Sequence, residues 1–165
     1  MKLKSLQDLY VHELKDLFSA EQQILKALPK MAKAATSTEV RSAFEQHLET
    51  TRRQVERLER IFERMDISPK GTKCKGMEGL IEEGEEIMDM DAEAVVCDAA
   101  LISSAQRIEH YEIAGYGTCR TYARQLGFEE DARLLQETLQ EEGESDKKLT
   151  VIAESRVNVE ASKHA

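Results

Sequence analysis

The chain has 165 residues, enough for one domain with a self-sufficient core, and it carries 33% charged residues, 5% aromatics, no Trp and two Pro. A composition rich in Glu, Lys, Leu and Ala points to an all-helical protein. The formal net charge of −9 would repel a phosphate backbone or an anionic membrane, so it disfavours nucleic acid and membranes as partners and favours metal cations.

The N-terminal MKLKSLQDLY is basic but turns polar at once, without the apolar run of a signal peptide, and no stretch approaches a membrane span. A cytoplasmic protein is expected. Cys74, Cys97 and Cys119 are odd in number and widely spaced, which suits reduced thiols better than a disulfide framework or a zinc ribbon.

The first helix is expected from about Ser5 to Ala35, with Leu6, Leu9, Tyr10, Leu14, Leu17, Ile24, Leu28 and Met31 on one stripe. Ser5 followed by Asp8 resembles a capping box. Pro29 lies inside the stripe, where a kink rather than a stop is expected. Thr36-Ser37-Thr38 breaks the chain and caps a second helix carrying Val40, Phe44, Leu48, Val55, Leu58, Ile61 and Phe62, which fails near Asp66. A third long helix runs from about Ala92 to Leu126 and ends at Gly127, a residue suited to the left-handed C-terminal position. A fourth, from about Glu129 to Ser155, carries Leu134, Leu135, Leu139, Leu149 and Ile152. Residues 1–155 should form the domain, and 156–165 a polar, frayed tail.

Two short connections make two antiparallel hairpins, and about 25 residues separate the pairs. Within this crossover, Gly76 to Glu83 has the pattern of a short helix. Two helical hairpins joined by one long crossover is the ferritin-like antiparallel four-helix bundle, an all-α fold.

Several carboxylates fall on the apolar stripes: Glu21 in the first helix, Glu109 and Glu112 in the third, Glu142 and Asp146 in the fourth. A buried unpaired carboxylate is costly, so several at one level imply a cation. Glu21 precedes its loop by about 14 residues, or ~21 Å, which sets its antiparallel partner near residue 50, where His47, Glu49 and Thr50 lie. Glu112 and Glu142 stand symmetrically about Gly127, and Glu109 lies ~25 Å along its helix from Ala92. All four helices can therefore send a carboxylate to one level. An oxygen-rich ligand set suits iron or manganese better than zinc, and two metals bridged by carboxylates can share the electrons needed to react with dioxygen or peroxide.

The run Phe44-Glu45-Gln46-His47-Leu48-Glu49, with Gln54 through Glu59, resembles the second helix of the YciF/YciE-type stress proteins of the ferritin-like superfamily. Glu109 through Ala114 with Tyr116-Gly117-Thr118 resembles their third, Leu135 through Leu149 their fourth, and Met77 through Glu83 their crossover. The likeness covers nearly the whole chain. It implies a small cytoplasmic homodimer connected with stress. The wider, rubrerythrin-like pattern implies a di-iron site, two ions per chain, with Glu21 matching the first helix and Glu109-x-x-Glu112 the third. Its Glu-x-x-His elements on the second and fourth helices fall on Glu49 and Glu142, but the histidine positions hold Arg52 and Ser145. The ligands implied are Glu21, Glu49, Glu109, Glu112, Glu142 and Asp146, completed by water or by His47. On its own sequence context His47 reads more readily as a packed, hydrogen-bonded histidine.

Two functions fit these residues. One is a di-iron oxidoreductase or ferroxidase. The other is a non-catalytic stress or structural protein whose site is degenerate or holds one ion, which the missing histidines favour. His110 is expected at the surface, and His12 and His164 carry no signal. Tyr111, Tyr116 and Tyr122 read as packing residues. The Leu and Tyr positions of the first helix, with Met88 and Met90, are candidates for a dimer surface.

Overall fold

A computed structural model describes residues 3–164, the side chain of His164 excepted. Among the described residues the fold is all-helical. Helix α1 spans Leu6–Ala34, α2 Thr38–Arg64, α3 Lys75–Asp89, α4 Ala94–Gln125 and α5 Glu129–Ile152. Ser5 caps α1 as its sequence suggests, its Oγ accepting from the Asp8 amide at 3.1 Å, and α1 runs through Pro29 as one element. Ser37 caps α2 in the same way.

Helices α2 and α4 end alike. Asp66 and Gly127 adopt positive φ, and the amides of Ile67 and Phe128 reach back to the carbonyls of Phe62 and Ala123, closing two Schellman motifs. Glycine meets the left-handed conformation without strain, whereas Asp66 tolerates it through its short polar side chain.

Helix α1 packs on α2 and α4, and α5 packs on α4 and α2, which gives a four-helix bundle. Tyr10 meets Asp131 at one end and Thr36 meets Asp98 at the other, so α1 and α4 are antiparallel. The crossover helix α3 is longer than its sequence pattern suggests. It lies over the seam between α1 and α4 and packs on both. Its start is tied down by Cys74, which donates to Asp16 Oδ2 at 3.0 Å, beside Tyr111, which donates to the same oxygen at 2.7 Å. All three cysteines are free.

The crossover does return the chain to the loop end of the first hairpin. Buried Asp98, in the first turns of α4, accepts from the Thr36 amide (2.8 Å), the Thr36 hydroxyl (2.6 Å) and the Ser37 amide (2.8 Å). One carboxylate thus fastens the two hairpins together and satisfies free donors before α2. Asp98→Ala should lower the unfolding free energy by about 3 kcal/mol in urea titration, because charge-assisted bonds are lost where water enters poorly.

The C-terminal segment departs from the expected frayed tail. After α5 the chain makes a π-helical turn over Ala153–Val157 and continues in short helical turns to His164. Val157 is buried against the core, and that apolar anchor carries the packed body past residue 155.

The apolar core comes in two pieces. One gathers Ile24, Leu28, Met31, Phe44, Leu101 and Ile108; the other gathers Tyr10, Leu14, Leu58, Phe62, Tyr116 and Leu135. A polar layer lies along the helices between them.

Candidate metal centre

The polar layer consists of Glu21 from α1, His47, Thr51 and Gln54 from α2, Glu109 and Glu112 from α4, and Glu142 from α5, all buried. One ligand atom from each of His47, Glu109, Glu112 and Glu142 lies within 4.8 Å of the others. Glu21 stands beside this group, one oxygen accepting from the Tyr116 hydroxyl at 2.5 Å.

Few of these groups have partners suited to their burial. Glu21 Oε2, His47 Nε2, Glu109 Oε2, both oxygens of Glu112 and Glu142 Oε2 are buried without a hydrogen bond. Native interiors rarely leave such atoms orphaned, and here six carboxylate and imidazole atoms, with Gln54 Oε1 as a seventh, lie in one layer. Burial, joined by the charge of Glu142, pushes the Glu21 carboxyl up to about 8. Burial likewise drives Glu109 and Glu112 well above the usual carboxylate range, with Glu142 adding to it in both cases.

Neighbouring groups orient the ligands. The Ser145 hydroxyl donates to Glu109 Oε1 at 2.9 Å and lies 3.1 Å from His47 Nδ1. Its single proton being given to Glu109, it accepts from Nδ1–H, which leaves the Nε2 lone pair aimed at Glu109 (3.6 Å) and Glu142 (3.8 Å). That is the tautomer a metal needs, fixed by a hydrogen bond from the other ring nitrogen. Gln54 Nε2 donates to Glu142 Oε1 at 2.5 Å. Arg57, the nearby cation, is engaged by Glu141 at 2.7 Å on the outer side.

Of the six ligands expected from the sequence, Glu21, Glu109, Glu112 and Glu142 meet in this layer, and two do not. Glu49 is on the outer face of α2, its side chain 64% exposed and 3.5 Å from Arg52. The inward stripe of α2 runs Val40, Phe44, His47, Thr51, Gln54 and Leu58, so Glu49 and Arg52 are out of phase with it. The apparent obstacle of an arginine at a ligand position disappears with them. Asp146 is half-buried beside the group, where its Oδ1 accepts from Gln106 at 3.0 Å and lies 3.3 Å from exposed His110.

Sequence reasoning undervalued His47 and passed over Thr51 and Gln54. The signal was present: 44, 47, 51, 54 and 58 keep the helical rhythm, and following it from Phe44 to Leu58 sets all three polar residues inside. Tyr116 packs in the core as expected and also serves Glu21.

The donor set fits a divalent cation that prefers oxygen and accepts imidazole, namely iron or manganese. Cys-rich zinc coordination has no counterpart at this level of the bundle.

The comparisons with known proteins agree with this architecture. Protein YciF of Escherichia coli strain K12 is 45% identical over the full length of both chains. The crystal structure of the E. coli stress protein YciF matches at a TM-score of 0.91 and 46% identity, covering 94% of this chain and 99% of that one. YcfI of Rhodopseudomonas palustris, described as a putative structural protein, matches at 0.88 and 40% identity over 92% and 97%. A Xanthomonas campestris protein at 22% identity shares the fold, with a TM-score of 0.76 over 97% and 99%. The profile of the family described as a domain of unknown function, DUF892, matches residues 5–162, and the chain belongs to that family, as a YciF-type protein with the ferritin-like fold.

Proposed function

We propose that this chain is a metal-binding stress-response protein whose bundle core holds two divalent cations, iron before manganese. The observation that carries the reading is the gathering of six orphaned carboxylate and imidazole atoms in one buried layer. Charge supports the number two. Glu21, Glu109, Glu112 and Glu142 would carry four negative charges when ionised, which two divalent ions neutralise and one does not.

His47, Glu109, Glu112 and Glu142 would hold one ion, and Glu21 Oε2 with Glu112 and Glu142 would reach the other. Bound iron would supply electrons for reaction with dioxygen or peroxide. The chain's own contribution is to fix the ligands and exclude water: Ser145 sets the His47 tautomer, Gln54 holds Glu142, Tyr116 holds Glu21, and the two apolar clusters close the layer on either side. A link to stress comes from the E. coli relative's description. A cytoplasmic homodimer belongs to the same proposal. Among the described residues no helix is long and apolar enough to cross a membrane.

Metal analysis of protein purified from iron-replete cells should find two ions per chain. One ion would favour the second reading, a non-catalytic protein stabilised by a single cation, for which the R. palustris relative's description speaks. No bound metal at saturating iron or manganese would sink both.

A further inference from the structure

The four seams between the bundle helices are not equally closed. The α1–α2 and α4–α5 seams lie within hairpins, and the α1–α4 seam is roofed by α3. Among the described residues no element covers the α2–α5 seam. It carries a groove of about 330 Å³ whose lining includes His47 and Ser145, the same two residues that border the carboxylate layer.

The groove is framed at both ends. Lys148 donates to Gln46 across it on one side, and Arg57 clasps Glu141 across it on the other. Between these straps the floor is the His47–Ser145 hydrogen bond, at 3.1 Å. His47 therefore divides the groove from the buried layer: its Nδ1 meets Ser145 at the floor, and its unpartnered Nε2 faces the carboxylates within. The rim sets Arg53 and Lys148 against Glu141 and Glu144, and Glu141 is already engaged by Arg57, so two exposed cations stand at the mouth of a groove in a chain that is otherwise at −9.

We propose that divalent cations reach the carboxylate layer through the α2–α5 groove, crossing the His47–Ser145 contact, and that Arg53 and Lys148 set the rate of passage by repelling them. This rests on the metal-binding reading above. Rotation of the Ser145 hydroxyl frees Glu109 Oε1 and His47 Nδ1–H without moving a helix, and an ion passing this floor meets the freed Glu109 oxygen first, then Glu142 and the inward-facing Nε2 of His47. Cations standing at the mouth slow loading and also slow loss, which suits a site meant to keep its metal.

The test is cobalt(II) uptake by metal-stripped, full-length protein, followed by rapid-mixing absorbance. Arg53→Glu and Lys148→Glu should each accelerate uptake about threefold or more at low ionic strength, an advantage that shrinks toward nothing in ~0.5 M salt. Cobalt bound at equilibrium should stay the same. Lys26→Glu, an identical charge change on the exposed side of α1, should move the rate far less. Equal acceleration by all three variants would mean that only net charge matters and would overturn the route. If the wild type binds no cobalt at equilibrium, the metal-binding reading itself fails, and the route with it.

Discussion

Glu112→Gln will strip the core of metal while leaving the metal-free fold at least as stable as before. Glu112 is fully buried, and both its oxygens lack a hydrogen bond. As a ligand it is favourable only when a cation stands beside it. The neutral amide keeps the volume, so no cavity is opened, but it removes a strong anionic donor, and metal content should fall to roughly a tenth of the wild-type value or less. In chelator-treated samples the comparison should reverse. There the wild type carries a carboxyl group without partners, and the variant should match or exceed its unfolding free energy by about 1–2 kcal/mol. Metal-loaded wild type should then melt above both. A Glu112→Gln protein that keeps its full metal complement would show that Glu112 is not a ligand.

The second large effect is a dependence on pH that appears only when the metal is gone. Burial raises Glu21 to about 8 and lifts Glu109 and Glu112 well above their ordinary range. In the unfolded chain these groups ionise near 4.5. Below that value both states hold the protons and the fold loses nothing. As pH rises, the unfolded chain releases protons that the folded core retains, so stability falls through the interval from about 4.5 to about 8. The loss over that interval should be on the order of several kcal/mol, since each retained proton costs the fold about 1.4 kcal/mol for every pH unit crossed. Two cations hold the same carboxylates ionised in the native state and should flatten the profile. Urea midpoints at several pH values across that interval, with chelator and with iron or manganese, decide the matter. A flat metal-free profile would mean that water reaches these carboxylates and that the layer is not dry.

Both effects follow from one structural choice, the interruption of an apolar core by four carboxylates. Pairing with arginine would have satisfied them, as Arg57 satisfies Glu141 one step outward. Inside the layer no such partner is present among the described residues, and the hydroxyl and amide groups of Tyr116, Gln54 and Ser145 each reach only one oxygen of a pair. The remaining oxygens face one another. Without a cation that arrangement costs stability, which is the reason to expect one.

Much of this was legible in the chain alone. The apolar stripes, the Ser5 and Ser37 caps, Gly127 and the long crossover together specify two hairpins and their connection. Counting residues from the loops brought Glu21, Glu109, Glu112 and Glu142 to one level, because the rise of a helix per residue hardly varies. What failed was phase on α2. Each residue turns the side chain by about 100°, so the two-residue difference between Glu49 and Thr51 separates solvent from core. The acidic residue drew the assignment to Glu49, while the stripe from Phe44 to Leu58 pointed to His47, Thr51 and Gln54.

The sequence by itself determined the elements, their pairing and the depth of the acidic layer, since these depend on local periodicity and chain length. Only the tertiary structure decided which side chains share that layer and which surface gives access to it. Ser145 between His47 and Glu109, Gln54 on Glu142, Asp98 fastening the hairpin loop and Val157 extending the packed body are all meetings of residues distant in sequence. Such meetings depend on the rotation of each helix about its axis and on which seam α3 covers, quantities set by the packing of all the helices together.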